Sequence, residues 1–199
     1  MTPPEIPPAQ PQPPVMDFLL SRRSRPARTL GLPVPTRDQL LPILTAAARV
    51  PDHGKLEPWR FIVLERAALQ RLGRLAAERG ATLGLDTQSL AKGVAQYADA
   101  GLVVAVVKVP RPTEKIPEVE QILSAGAACL TLLNAALASG WGSNLLTGWA
   151  AADEVFGRDG LGLAPGEWVA GMIHIGTESA VPPERPRPDI AAITTWLDK

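Results

Sequence analysis

The chain has 199 residues, enough for one domain with a substantial core, and its 46% apolar but only 5% aromatic residues predict a core of Leu, Ala and Val. Lys and Arg together number 20, as do Asp and Glu, and this balance argues against nucleic acid or an anionic membrane surface as the main partner. The single cysteine excludes an internal disulfide, and with two histidines the composition gives little support to a metal site.

Residues 1–14 are rich in proline, with seven prolines and two glutamines. They have neither the basic start nor the apolar centre of a signal peptide, so we expect a cytoplasmic protein. We predict that this segment is flexible and extended, with polyproline character. An alternative is a strap that crosses a partner subunit. Residues 15–199 are predicted to form a single domain with an extended C-terminal tail.

The first half of this domain is predicted to contain four helices and one strand. A capping box at Thr36 and Gln39 starts the second helix, and Pro51 limits its end. Gly80 is expected to end the third helix. The strand is recognised by its aromatic and β-branched residues. These elements are helices over 15–23, 36–50, 66–79 and 87–99, and a strand over 59–64.

The second half contains a long uncharged run, residues 122–147, which has the length of a membrane span. It is largely alanine and includes Ser, Thr, Asn and Gly, so we predict a helix buried on all sides between two subunits. Pro117 and the acidic residues after it mark the start of this helix. The other predicted elements are a buried strand over 101–109, a strand after Gly140, a loop over 157–166, a strand over 168–175 and a small helix from Asp189.

Three short segments carry the predicted chemistry. In the first, Arg22, Arg23 and Ser24 supply two guanidinium groups and a hydroxyl at a helix end, which suit a phosphate monoester. A solvated basic turn and a nucleic-acid arm are the alternatives for this segment. The second is a proline-bounded polar loop over 51–58, and the third is the turn over 140–148. The glycine pattern of Rossmann dinucleotide sites is missing from the sequence, so that fold is not predicted.

The loop contains Asp52, His53 and Pro58, and Trp59 follows it. With these residues, the three segments together resemble the FMN-dependent nitroreductase family, in particular its short single-domain NAD(P)H nitroreductase branch. The resemblance extends over roughly residues 15 to 178. It implies an α+β fold with a central, mostly antiparallel sheet surrounded by helices, in an intertwined homodimer that holds FMN at its interface. It also implies ping-pong transfer of a hydride from NADH or NADPH through flavin N5 to a nitroaromatic, quinone or similar acceptor.

The resemblance assigns roles to residues of each segment. The cofactor carries the chemistry, so no catalytic side chain is expected and no metal is needed. The loop over 51–58 would reach the flavin edge, partly across the dimer interface. The implied cofactor-binding residues are Arg22, Arg23 and Ser24 at the phosphate and ribityl chain, His53, Lys55 and Glu57 at the flavin edge, and Leu145, Leu146, Thr147 and Gly148 against the ring near N5 and O4.

Several positions depart from the family pattern. Glu57 stands where Gln is usual, and an ionised Glu can only accept hydrogen bonds. Pro26 stands where a Lys or Arg is common, so Lys55 or Arg25 is a candidate for the cation that stabilises the reduced flavin. The turn over 145–147 lacks an Arg found in the branch. Arg185 and Arg187 are candidates to reach the phosphate instead, and a solvated tail is the alternative for them.

Two other functions remain open from the sequence. One is an FMN-binding relative with a different specialised reaction, such as another electron acceptor or consumption of its own flavin. The other is a redox-inactive dimer, with or without flavin, that acts as a scaffold.

Overall fold

The computed structural model describes residues 8–198 and confirms the predicted fold class, an α+β domain with an antiparallel sheet surrounded by helices. The helices are α1 (Pro13–Ser21), α2 (Arg37–Ala47), α3 (Arg66–Thr82), α4 (Thr87–Ala98), α5 (Glu118–Ala138), α6 (Trp149–Ala152) and α7 (Glu154–Leu161). The strands are β1 (Leu30–Gly31), β2 (Trp59–Leu64), β3 (Leu102–Lys108), β4 (Gly142–Leu146) and β5 (Trp168–Glu178).

β5 organises the sheet. It pairs antiparallel with β3 along one edge and with β4 along the other, and it also pairs with the short β1 near its end. β2 pairs antiparallel with β3, from Trp59 opposite Lys108 to Leu64 opposite Val103. All residues of β3 are buried, as its continuous apolar run predicted, because helices cover both faces of the sheet.

Each face of the sheet has its own apolar core. On one face α2 and α5 bury Ile43, Leu132 and other side chains against Ile173 of β5. On the opposite face α3, α4 and α7 bury Leu69, Tyr97 and Phe156. Burial of each side chain of this size contributes about 2 kcal/mol relative to exposure. The two cores together fix β4 and β5, the strands that lead to the candidate site.

The structure corrects the prediction of a loop over 157–166, because α7 continues to Leu161. The carboxylate of Asp153 accepts a hydrogen bond from the N–H of Phe156 and caps the helix. Gly160 packs closely enough that a Cβ there would lie 2.8 Å from Leu72 and 3.0 Å from Leu75. The low helix propensity of glycine is therefore offset by close packing, and the helix ends at the left-handed Gly162.

Other boundaries also differ from the predictions. Gly80 does not end α3, which continues to Thr82, because the missing side chain at Gly80 makes room for Leu90 and Trp149. α1 begins at Pro13, so the end of the proline-rich segment is helical, while the prediction for residues 1–7 lies outside the described residues. The predicted tail helix is a single 3-10 turn, Ala191–Ile193.

The long helix α5 is apolar over most of its length but is buried on one side only. It is apolar and long enough to cross a membrane, yet 44% of its most apolar stretch is buried within the domain, against α2, β4 and β5. The other side exposes an apolar stripe. The sequence predicted a helix that is buried on all sides between two subunits. One chain by itself buries only one side of this helix. The exposed residues of the α5 stripe are Val119, Ile122, Leu123 and Leu130.

Candidate functional site

The arginine turn, formed by Arg22, Arg23 and Ser24, follows directly from the end of α1. The backbone N–H of Arg22 caps the helix by donating to the carbonyl of Phe18 at 2.8 Å. The Arg22 guanidinium donates to the hydroxyl oxygen of Ser24 at 3.2 Å, and that of Arg23 donates to the carbonyl of Pro183 at 3.1 Å. The turn is thus held between α1 and the C-terminal tail.

The tail returns to this turn and brings two further arginines to it. Arg187 donates to the carbonyl of Leu20, so the tail is fastened to the end of α1. A cavity of about 510 Å³ lies between the turn and the tail, and among the described residues Glu184 is the one carboxylate on its wall. The residues that line it are Arg22, Arg23, Ser24, Glu184, Arg185, Pro186, Arg187 and Pro188.

The positive charge in this cavity is largely uncompensated. Burial lowers the pKa of Arg22, and the charges of Arg23, Arg187 and Arg25 lower it further. Within residues 8–198, the buried Nε atoms of Arg22 and Arg23 have no hydrogen-bond partner. Crowded guanidinium groups with free donors favour a bound anion, because an anion relieves their repulsion and accepts their hydrogen bonds. The cavity is therefore suited to a phosphate.

β4 connects the arginine turn to the third predicted segment. The backbone N–H of Arg25 donates to the carbonyl of Ser143 at 2.9 Å, at the start of β4. From Ser143 to Leu146 the strand advances about 10 Å, at about 3.3 Å per residue. Thr147 and Gly148, which follow the strand, are exposed. The cavity lined by the arginines, which we call the arginine cavity, and the turn after β4 are thus fixed at the two ends of one short strand.

Trp149 holds the turn after β4 in place. Its indole N–H donates to the carbonyl of Ser89 at 3.2 Å, and its ring packs where a Cβ at Gly93 would lie only 2.2 Å away. Thr147 and Gly148 line a second cavity, of about 850 Å³, whose wall is mostly apolar. Trp149 is therefore a packing residue, and it ties the turn to α3 and α4.

Gln96 of α4 is a candidate site residue that the sequence reasoning missed. Its Oε1 would lie 3.0 Å from a Cβ at Gly148, so the amide is next to the turn. Its Nε2 is buried and finds no hydrogen-bond partner in the described part of the chain. A donor left free beside an exposed turn is suited to a ligand oxygen or nitrogen. One glutamine within a helical pattern gives no signal of this in the sequence.

The loop over 51–58 lies elsewhere on the chain. His53, Lys55 and Glu57 are exposed, and the imidazole Nδ1 of His53 lies 2.8 Å from a carboxylate oxygen of Glu120, in the first turn of α5. The arginine turn lies at the opposite end of this helix, where Leu137 shares a small cavity with its arginines. From Glu120 to Leu137 the helix rises about 25 Å, at about 1.5 Å per residue.

The structure therefore brings together two of the three predicted segments within one chain. β4 connects the first segment to the third. The first segment is Arg22, Arg23 and Ser24, and the third contains Leu145, Leu146, Thr147 and Gly148. His53, Lys55 and Glu57 are at the other end of α5 from the arginine turn. Arg185 and Arg187, whose role the sequence left open, line the same cavity as Arg22.

Comparison with known proteins agrees with this architecture. The "Putative NAD(P)H nitroreductase YdjA" of Escherichia coli (strain K12) is 32% identical over 162 residues, which cover 81% of this chain and 87% of that protein. The solved structure of a nitroreductase-like family protein from Bacillus cereus is 21% identical and matches the fold with a TM-score of 0.76, over 93% of this chain and 96% of that one.

A nitroreductase from Bacteroides fragilis, solved with bound FMN, is 21% identical with a TM-score of 0.72, over 92% of this chain and 98% of its own. The family model described as Nitroreductase family matches residues 19–177. This match begins at α1, before the arginine turn, and ends within β5. The chain belongs to the nitroreductase family.

Proposed function

We propose that this protein is an FMN-dependent oxidoreductase that uses NADH or NADPH to reduce small acceptors such as nitroaromatics or quinones. The observation that carries the proposal is the arginine cavity, which β4 joins to an exposed backbone turn. FMN has a phosphate at one end and a planar ring at the other, so it fits two such sites at the ends of one strand. The relative named as an NAD(P)H nitroreductase and the neighbour solved with FMN support the same assignment.

The residues present fit this cofactor. The free guanidinium donors of Arg22 and Arg23 would hold the phosphate, with Arg185 or Arg187 closing the cavity from the tail. The hydroxyl of Ser24, now an acceptor from Arg22, would reach the phosphate or ribityl chain. The free amide of Gln96 would donate to a flavin oxygen or nitrogen at the turn.

The turn after β4 would orient the ring. Leu145 packs against the core under α5, so Leu146, on the other face of β4, would supply the apolar wall. Thr147 and Gly148 are exposed and leave the backbone accessible. Backbone N–H groups are fixed donors, so they need no reorganisation when a ring atom approaches. Trp149 keeps the turn rigid through its contacts with α3 and α4. The chemistry that FMN supplies when bound is two-electron hydride acceptance from NADH or NADPH and transfer to an acceptor.

We infer that the working unit is a homodimer. The loop with His53, Lys55 and Glu57 is about 25 Å along α5 from the arginine turn, farther than one FMN reaches. A second chain can bring its own loop to the ring. The exposed apolar stripe of α5 is a suitable contact surface, because large exposed apolar patches are typical of subunit interfaces. We place this dimer in the cytoplasm, since its single cysteine requires no oxidising compartment.

An FMN titration of the full-length protein, followed by steady-state assays, tests the proposal. We expect saturable quenching of FMN fluorescence, one FMN per chain, and NAD(P)H oxidation that depends on a quinone or nitroaromatic. A protein that binds FMN but never turns over would favour the scaffold. A protein that does not take up FMN would contradict the proposal.

A further inference from the structure

The loop over 51–58 holds an unusual backbone. Gly54, Lys55 and Glu57 have φ angles of 72°, 53° and 49°, all in the left-handed region. Glycine adopts this region freely, but Lys and Glu do so only where their surroundings hold them. Lys55 and Glu57 are also the charged side chains of this loop that we place at the flavin. The contacts that hold their backbone therefore decide where these side chains point.

One set of contacts comes from within the loop. The carboxylate of Asp52 accepts hydrogen bonds from the N–H of Leu56 at 3.1 Å and from the N–H of Glu57 at 2.8 Å. The carbonyl of Asp52 accepts from the N–H of Lys55 at 3.2 Å. These bonds satisfy the amides of Lys55, Leu56 and Glu57, but they leave the carbonyls of Leu56 and Glu57 to other partners.

The second set comes from residues 111–120, which we call the brace. Arg111 donates from Nε to the carbonyl of Leu56 at 3.0 Å and from Nη2 to the carbonyl of Glu57 at 3.3 Å. The side chain of Ile116 covers Gly54 so closely that a Cβ there would lie 2.5 Å from it. Glu120 contacts His53 at 2.8 Å. The brace thus touches the loop at four positions, His53, Gly54, Leu56 and Glu57.

Arg111 is itself fixed by a buried residue of α5. The side-chain amide of Gln121, which is only 5% exposed, donates to the carbonyl of Arg111 at 2.8 Å and accepts from its N–H at 3.1 Å. This pair of bonds fixes the backbone of Arg111, so its guanidinium starts from a defined position. A planar guanidinium offers two donors at a fixed spacing, which a lysine ammonium does not.

We propose that Arg111 is a positioning residue for the FMN site: by donating to the carbonyls of Leu56 and Glu57, it holds Lys55 and Glu57 in the left-handed conformation in which their side chains meet the flavin. This inference rests on the proposed function. Without Arg111 the loop would relax, and its ordering would have to occur when the flavin binds, which weakens binding. Arg111 need not touch the flavin for this effect.

The test compares Arg111→Gln and Arg111→Lys with the wild-type chain. Arg66→Gln is the matched control, because Arg66 also donates to two backbone carbonyls, those of Ala98 and Ala100, but it follows the end of β2, whereas the loop precedes the start of that strand. Three quantities are measured on the full-length protein: amide hydrogen exchange at Leu56 and Glu57 without FMN, the dissociation constant for FMN, and the midpoint potential of the bound flavin. A purely structural role of Arg111 would leave the midpoint potential unchanged.

We expect Arg111→Gln to exchange faster at Leu56 and Glu57 and to bind FMN about tenfold more weakly, with Arg111→Lys between it and the wild type. Arg66→Gln should keep the wild-type exchange rates, FMN affinity and midpoint potential. Wild-type affinity and potential in Arg111→Gln would overturn the inference, whether or not its loop exchanges faster. Absence of FMN binding by the wild-type chain would instead contradict the proposed function, and the inference with it.

Discussion

The backbone N–H of Arg25 donates to the carbonyl of Ser143 at 2.9 Å. This single bond connects a turn rich in arginine to the strand that carries the exposed turn at residues 147 and 148. Residues 118 positions apart in the sequence are thereby fixed side by side (143 − 25). A ligand that bridges the arginine cavity and the exposed turn needs a fixed distance between these two sites. β4 supplies that distance, because strands are stiff over so few residues.

The arginine cavity should determine FMN affinity. Arg22→Gln removes a charge and a free donor from the cavity, so we expect the dissociation constant for FMN to rise about tenfold or more. Arg28→Gln is the control, because Arg28 is exposed and does not line the cavity. Fluorescence titration measures both. Equal effects of the two substitutions would show that the cavity has no special role.

Lys55 should tune the redox potential of the bound flavin. A cation near the ring stabilises the reduced, more negative form, so Lys55→Ala should lower the midpoint potential. A shift of about 30 mV would correspond to a tenfold change in the relative affinity for reduced and oxidised flavin in a two-electron couple. Arg74→Ala removes the same charge from an exposed position on α3 and should leave the potential unchanged. A potential that does not fall in Lys55→Ala would eliminate this role.

The exposed α5 stripe should hold the dimer together. Leu123 is 67% exposed in the single chain, and Leu123→Glu would place a charge in the proposed interface. We expect a monomer by sedimentation, and weaker FMN binding because the partner's loop is lost. Leu41→Glu on α2, where Leu41 is 63% exposed, should have little effect on either measurement. A stable dimer in Leu123→Glu would place the interface elsewhere.

His174 should make the domain sensitive to acid. Burial in β5 lowers its pKa to about 4 from 6.5, and in the described structure its Nε2 has no hydrogen-bond partner. The unfolded chain therefore binds a proton that the folded chain excludes. The contribution of neutral His174 to the free energy of unfolding is therefore complete above about pH 6.5. It is lost as the pH falls from there toward 4, which lowers the free energy of unfolding by up to about 3 kcal/mol.

Denaturant unfolding at several pH values measures this effect. His174→Gln should remove most of the loss between pH 6.5 and pH 4, whatever its effect at neutral pH. Met172→Leu is the control on the same strand, because it alters a buried side chain without a titratable group. A pH dependence that persists in His174→Gln would assign the acid sensitivity to other groups.

Local patterns in the sequence were enough to predict much of this fold. β2 spans Trp59–Leu64 as predicted, because aromatic and β-branched residues favour a half-buried strand. The capping box at Thr36 and Gln39 is present with both of its hydrogen bonds. α7 was not predicted, because glycines are poor helix formers, and its two glycines are explained by close packing, Gly157 against Leu163 and Gly160 against Leu72 and Leu75. Packing decides such segments, and packing is not visible in a single sequence.

The candidate site was predictable to a similar degree. Arg22, Arg23 and Ser24 form a dense local motif, and the structure does place them around one cavity. Gln96 and Arg111 carry no such signal, because each contacts a residue that is distant in sequence: Gln96 lies next to Gly148, and Arg111 donates to the carbonyl of Glu57. Positions of this kind emerge only when the chain is folded.

The most direct measurement is the absorbance of the FMN-loaded protein at about 450 nm during anaerobic addition of NADPH or NADH. Our account predicts that the flavin band bleaches with at least one of these donors, and that a quinone or nitroaromatic added afterwards restores it. A bound flavin that neither donor reduces would contradict the assignment of this protein as an NAD(P)H-dependent oxidoreductase.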